Sequence, residues 1–282
     1  CLYLPGTVGG GRAMDEEIKQ SKSKIRTYRG GQTLHHAARK TEQESTGMPV
    51  IMKVRNAKKE YQVGDSTVHA VDGVSFSVNK GDWVLIYGRS GSGKSTLLNL
   101  LAGLEPPTEG EIMIRGKHIE KMSEGQRIRF RREHIGFVFQ SYNLLPQYSA
   151  LENVAMPLAL RGMPKKEREE EAMKMLTQVG LAEHAEHKPS ELSGGQQQRV
   201  GIARAIITAP EIVFADEPTG NLDTKTGEEV MELLKNIFKE RNTTFILVSH
   251  DPDMRRYAGR EIHIQDGIIR TEESVIAGGK VI

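Results

Sequence analysis

The sequence predicts an α/β fold: a largely parallel sheet with a phosphate-binding loop and a helical insertion. Three observations predict it. Short apolar runs at 84–87, 135–139, 212–215 and 245–248 are rich in branched and aromatic residues. Runs of that length, without polar alternation, suit strands covered on both faces. Between and after them, apolar residues recur at helical spacing, at Ala172, Leu176 and Val179 and again at Val230, Leu233, Leu234, Ile237 and Phe238. Strands alternating with helices point to a parallel sheet. A glycine-rich loop follows the first apolar run directly and opens a helix pattern.

The composition is that of a soluble globular chain. The 282 residues are 37% hydrophobic and 27% charged, enough for one or two domains with a real core. Lys and Arg number 39 against 37 Asp and Glu, a net charge of +2. So even a balance argues against nucleic acid as a partner. No run approaches the ~18 apolar residues that read as a membrane span. The one cysteine, Cys1, excludes an intrachain disulfide framework and a cysteine-based zinc site. A reducing, cytoplasmic setting is the natural reading.

Residues 1–49 differ from the rest. They hold 8 basic and 5 acidic side chains, so this segment is +3 and the remainder −1. Without sustained apolar periodicity, the segment reads as a flexible basic extension. The stretch before Met14 reads as upstream-translated or cloning-derived sequence. His35 and His36 are adjacent but lack ligand spacing. The orderly pattern starts at Val50, which makes 50–282 the candidate catalytic domain.

The loop at 88–96 reads Gly88-Arg89-Ser90-Gly91-Ser92-Gly93-Lys94-Ser95-Thr96, a fit to Gly-x4-Gly-Lys-Ser. It lies between a strand run and the helix pattern of Leu97, Leu98, Leu100 and Leu101. Glycines let successive backbone N–H groups turn toward one anion. The helix N-terminus adds about 0.3–1 kcal/mol per favourable charge. Lys94 should reach the β- and γ-phosphates and Ser95 should ligate Mg²⁺.

The basic run at 127–132 reads as solvated surface, and so does the charged run at 165–171. The region 141–195 is helix-rich without a clear strand and reads as a helical insertion. His118, His184, His187 and His263 carry no ligand spacing. At its end, Leu192-Ser193-Gly194-Gly195-Gln196 opens a helical stretch near 197–207. A serine and two glycines at a helix start form a second anion site. The run at 212–215 then ends in Asp216 and Glu217. In a P-loop fold that strand is expected beside the P-loop strand. Asp216 would hold the metal shell, and Glu217 would polarise the attacking water as general base.

Together these residues resemble the nucleotide-binding subunit of an ATP-binding cassette (ABC) transporter, over about residues 50–272. Residues 88–96 resemble the Walker A loop, 192–196 the family signature, and Asp216 with Glu217 the Walker B pair. Gln140 resembles the glutamine that reaches the metal and the attacking water. Asn221-Leu222-Asp223 is similar to the D-loop, and Asp223 is its carboxylate. His250 resembles the switch histidine that contacts the γ-phosphate, and Tyr61 the aromatic that stacks on adenine. The strings 135–140, Glu152-Asn153-Val154 with Pro157-Leu158, and 216–223 are similar to ATPases of the lipoprotein-releasing and macrolide-exporter type. Arg89 stands where many members have Pro, and Gly201 where many have Ala.

The resemblance implies an ATPase whose cofactors are ATP and Mg²⁺. It implies that two copies close head to tail, Ser193, Gly194, Gly195 and Gln196 of one covering ATP on the other. It also implies an integral membrane permease as partner, received where the insertion meets the Gln140 loop, and a peripheral place on the inner face of the cell membrane. Tyr142, Leu144, Leu145 and Tyr148 are candidates for that groove. The alternative is a non-transport cassette ATPase gating a cell-division or other protein assembly. A small-molecule kinase would leave the 192–196 string and Gln140 unexplained.

Overall fold

Two sheets flank one short helix in the computed structural model, which describes residues 48–276 and 280–281. Cys1, Met14, His35, His36 and nearly all of the basic extension lie outside the described residues.

The first sheet is antiparallel. It contains β1 (Val50–Val63), β2 (Ser66–Asn79), β4 (Glu109–Ile114) and β5 (Lys117–His118), in the order β2-β1-β4-β5. The second holds β3 (Trp83–Tyr87), β6 (Ile135–Val138), β7 (Ile212–Asp216), β8 (Thr244–Ser249), β9 (Arg260–Gln265), β10 (Ile268–Ile276) and β11 (Lys280–Val281). Its order is β11-β10-β9-β3-β8-β7-β6, and the neighbours from β9 to β6 are parallel. All four predicted apolar runs are strands of this sheet.

One expectation is corrected. β7, which ends in Asp216, does not pair with the P-loop strand β3. β8 lies between them and bonds to both. The five parallel strands nevertheless end along one edge, so Asp216 still approaches the P-loop from two strands away.

The parallel strands are apolar throughout because both faces are covered. Val84, Ile86, Phe214, Ile246 and Val248 pack with α1 (Lys94–Leu101) and the antiparallel sheet. Leu85, Val213, Ala215, Phe245 and Leu247 pack on the opposite side with α5 (Gly194–Ile206) and α6 (Thr224–Arg241). Each large side chain so buried contributes about 1.5–3 kcal/mol.

The remaining helices are α2 (Glu124–His134), α3 (Ala150–Leu160) and α4 (Lys165–Gln178). Among the described residues 141–195 none is in a strand. Ser149 opens α3 with a capping box that includes Glu152. Asn153 is fully buried and acts as a clamp. Its Oδ1 accepts from Leu145 N–H at 2.8 Å, and its Nδ2 donates to the carbonyls of Leu145, Tyr148 and Ser149. This gives the Glu152-Asn153-Val154 string a physical role: it shapes the loop at 145–149.

The basic run on α2 is not simply solvated. Arg127 donates to Met122 O, Arg131 to Gly103 O and Arg132 to Leu160 O. Arg161 returns the tie by donating to Arg132 O at 2.6 Å. These arginines satisfy carbonyls at helix and loop ends that otherwise lack donors.

Candidate nucleotide site

The P-loop takes its shape from two close backbone approaches. Gly88 lies so near Ile264 that a Cβ would sit 2.2 Å from that carbonyl oxygen. Gly93, at φ 94°, would place a Cβ 2.1 Å from Ala70 O. Gly93 caps α1 with no side-chain hydrogen bond, and no acidic residue lies in the first turn. The first N–H groups of α1 are therefore bare, as an anion site requires.

Lys94 is only 5% exposed and its Nζ donates to Arg89 O at 2.8 Å. Burial pushes its ammonium below the usual lysine range, against the pull of Glu217 and Asp216. Ser92 Oγ is buried beside it with no partner among the described residues.

Gly88, Arg89, Ser90, Ser95, Gln140, Asp216, Glu217 and His250 line one cleft of about 510 Å³ together with Tyr87. Ser95 Oγ is 3.5 Å from Asp216 Oδ1. Burial and the neighbouring Glu217 push the Asp216 carboxyl up, against the opposing pull of Ser95 and Lys94. Glu217 adopts a left-handed backbone at φ 44°, unusual for a non-glycine residue. Such strain costs about 1–3 kcal/mol and persists where the surroundings enforce it. Here its N–H donates to Val248 O and its carbonyl accepts from Gly220 N–H. Its Oε1 lies 2.8 Å from His250 Nδ1. The backbone carbonyl of Gln140 accepts from Asn221 Nδ2 at 3.0 Å. The oxygen donors of Ser95, Asp216 and Gln140 in this cleft suit a hard cation such as Mg²⁺.

The predicted residues do not all meet. Gly91, Gly93 and Thr96 lie in the loop and first turn without lining the cleft. Tyr61 is on β1, over a third exposed, and its phenol donates to Glu105 at 2.8 Å. Burial, then Glu105, pushes that phenol up to about 12, while Thr96 acts in the opposite direction. Lys59 Nζ lies 5.3 Å from the ring centre. Ser193, Gly194, Gly195 and Gln196 form the start of α5, away from the cleft lining. Ser193 Oγ accepts from Gln196 N–H, and Gln196 Oε1 accepts from Ser193 N–H. That leaves the Ser193 hydroxyl proton free to donate. Asp223 caps α6 by accepting from Thr226 N–H at 3.0 Å, and the Thr226 hydroxyl, then this backbone bond, hold its carboxyl below the usual range.

Several contacts beside the candidate site escaped the sequence. Tyr142 and Asn143 follow the Gln140 turn at φ 60° and 48°. Arg204 of α5 donates to both of their carbonyls, at 2.8 and 2.6 Å. Tyr142 Oη crowds Gly194, where a Cβ would lie 2.9 Å from it. The Gln140 loop and the start of α5 are thus latched within one chain. Nothing in the spacing of residues 192–207 marks such a latch in the sequence. In the candidate groove, Leu145 is 36% exposed, while Leu144 packs against the core cluster.

A glycine loop after a strand, a buried lysine and an acidic pair at the end of a strand two places along the same parallel sheet define a P-loop nucleoside triphosphatase. Comparison narrows the class. Residues 71–220 match the ABC transporter family. The lipoprotein-releasing system ATP-binding protein LolD of Legionella pneumophila is 45% identical over 224 residues, covering 79% of this chain and 99% of that one. The macrolide export ATP-binding/permease protein MacB of Syntrophobacter fumaroxidans is 44% identical over 80% of this chain, which spans 32% of MacB. The dimeric post-hydrolysis structure of the cassette MJ0796 with ADP and Pi superposes with a TM-score of 0.74 at 42% identity. It covers 79% of this chain and 98% of that one; MJ0796 comes from Methanocaldococcus jannaschii. The chain belongs to the ABC transporter family and is an ATP-binding cassette ATPase.

Proposed function

We propose that two copies of this chain close head to tail around ATP and that hydrolysis drives an integral membrane permease. Within each copy, we read 50–282 as the ATPase domain and 141–195 as its helical subdomain, with 1–49 as an extension. The observation that carries the reading is a division of labour. The cleft gathers the phosphate loop, Asp216, Glu217, Gln140 and His250. A second helix start with free donors, at Ser193, stands apart from it. A polyanionic triphosphate held by one loop leaves charge that a second donor set can neutralise from the other copy.

In this reading the bare N–H groups at the start of α1 and Lys94 bind the β- and γ-phosphates. Ser95, Asp216 and Gln140 would hold Mg²⁺, which neutralises charge developing on the phosphate oxygens. Glu217 takes the proton of the attacking water at its carboxylate. In its doubly protonated form His250 donates through Nδ1 to that carboxylate and through Nε2 to the γ-phosphate. Gln140 places the water, Asp223 approaches from the other copy, and Tyr61 stacks on the base. Tyr142, Leu144, Leu145 and Tyr148 sit beside the loop that would receive the permease. A peripheral place on the inner face of the cell membrane goes with that permease partner; no helix among the described residues is long and apolar enough to cross a membrane. The LolD and MacB relatives support a permease of the lipoprotein-release or export kind.

Sedimentation velocity of the Glu217→Gln protein tests the dimer. With Mg-ATP it should sediment as a dimer, and without nucleotide as a monomer. A strictly monomeric sample at saturating ATP would refute the head-to-tail reading.

A further inference from the structure

His184 lies outside every motif used above, yet it touches the signature. Its Nε2 is 3.1 Å from the side-chain Nε2 of Gln196. The Gln196 amide has one consistent orientation, because its Oε1 accepts from Ser193 N–H at 2.9 Å. The nitrogen facing His184 therefore carries only donors. It follows that His184 Nε2 accepts, and that the ring proton sits on Nδ1. That Nδ1 is buried and has no partner among the described residues. A buried, unsatisfied N–H is costly and calls for a reason.

The turn that carries His184 is built to hold it. Ala150 N–H donates to His187 O and Leu151 N–H to Ala185 O, both at 2.8 Å, so the start of α3 pins the turn. His187 N–H donates to His184 O at 3.0 Å. The His187 ring stands perpendicular to that of His184, with centres 5.0 Å apart. The imidazole is thus fixed in place with its acceptor aimed at one amide.

We propose that His184 is a positioning residue for the signature. As an acceptor it holds Gln196, and through the reciprocal cap it sets Ser193 in the shape that grips ATP on the other copy. This rests on the head-to-tail reading above. Its effect is confined to dimer closure, because neither His184 nor Gln196 lines the cleft of its own chain.

The test uses the Glu217→Gln protein with saturating Mg-ATP and measures the dimer dissociation constant by sedimentation. His184→Gln keeps an acceptor near the position of the ring Nε2. His184→Leu and His184→Lys do not. The Leu and Lys variants should weaken the dimer about 30-fold, the factor given by two ordinary hydrogen bonds lost together, one at each signature. His184→Gln should return most of that loss, and fluorescent-ATP binding to the single chain should stay at the parent value in all three. The effect should also vanish in a Gln196→Ala background, since the two side chains act as one unit. If Leu and Lys dimerise like the parent, or Gln is as weak as they are, the assignment is overturned. It is equally overturned if His184→Leu keeps its cost in the Gln196→Ala background, which would mark a general loosening of the turn. A monomeric Glu217→Gln parent would instead overturn the head-to-tail reading, and this inference with it.

Discussion

His250 Nδ1 and Glu217 Oε1 meet at 2.8 Å across the mouth of the cleft, from the ends of two adjacent parallel strands. The contact explains how a strained acidic residue keeps a defined direction. Glu217→Gln should lower kcat by about 10²–10⁴, the usual range for a lost general base. His250→Ala should lower kcat by less, with little change in KM for ATP. Steady-state ATPase assays at saturating Mg-ATP check both. A His250→Ala enzyme with parent kcat would show that the pairing is incidental.

The burial of Lys94 costs the fold stability. Its ammonium is pushed down by burial, so the charged form costs the fold energy. That cost is present below the folded-state pKa and fades as pH rises past it toward the value of a free lysine. Lys94→Met should therefore melt higher than the parent at neutral pH without nucleotide, and the gap should close toward alkaline pH. A change of about 1 kcal/mol corresponds to roughly 2–4 °C in a domain of this size. ATP should stabilise the parent and leave Lys94→Met unmoved. Differential scanning calorimetry with and without Mg-ATP reads both effects.

Two loop glycines should behave differently. Gly91, at φ 79°, has open space where a Cβ would go, whereas Gly93 faces the Ala70 carbonyl. Gly91→Ala should cost only the left-handed strain, about 1–2 kcal/mol. Gly93→Ala adds a backbone collision and should cost about 3 kcal/mol or more, with loss of ATP binding. Urea unfolding and a nucleotide-binding titration separate them. Equal effects would contradict the loop geometry.

Gly201 is different again. It lies inside α5, and a Cβ there would sit 3.5 Å from Tyr142 O, an ordinary contact. Gly201→Ala should stabilise the protein by about 0.4–1 kcal/mol, with turnover unchanged. Thermal melts check the sign, and a lower melting temperature would mean that the Tyr142 turn cannot give way.

The parallel sheet and its loop were legible because both report on local sequence. A strand covered on both faces must be apolar at every position, and 84–87, 212–215 and 245–248 are. The antiparallel sheet was not legible, because its strands carry charges on an open face. Lys58, Lys59 and Glu60 in β1 break any apolar run, and bulges such as that between Val54 and Ala57 upset the alternation. The order of β3, β8 and β7 was misread because pairing is set by crossovers, which leave no mark in the strands themselves. Of the site, Lys94, Ser95, Asp216 and Glu217 could be found by motif. The latch of Arg204 on Tyr142 and the His184–Gln196 contact could not, since both join residues whose spacing follows no local period.

The head-to-tail account has one decisive consequence for mixed proteins. Lys94→Ala disables the phosphate loop, and Ser193→Arg blocks the signature, so each protein alone should be inactive. In a mixed dimer, one interface combines both defects and the other combines an intact loop with an intact signature. Mixing the two inactive proteins should therefore restore ATP hydrolysis, rising with the fraction of mixed dimer. If the mixture stays as inactive as its components, although mixed dimers form, each chain must hydrolyse ATP with its own residues and the account is contradicted.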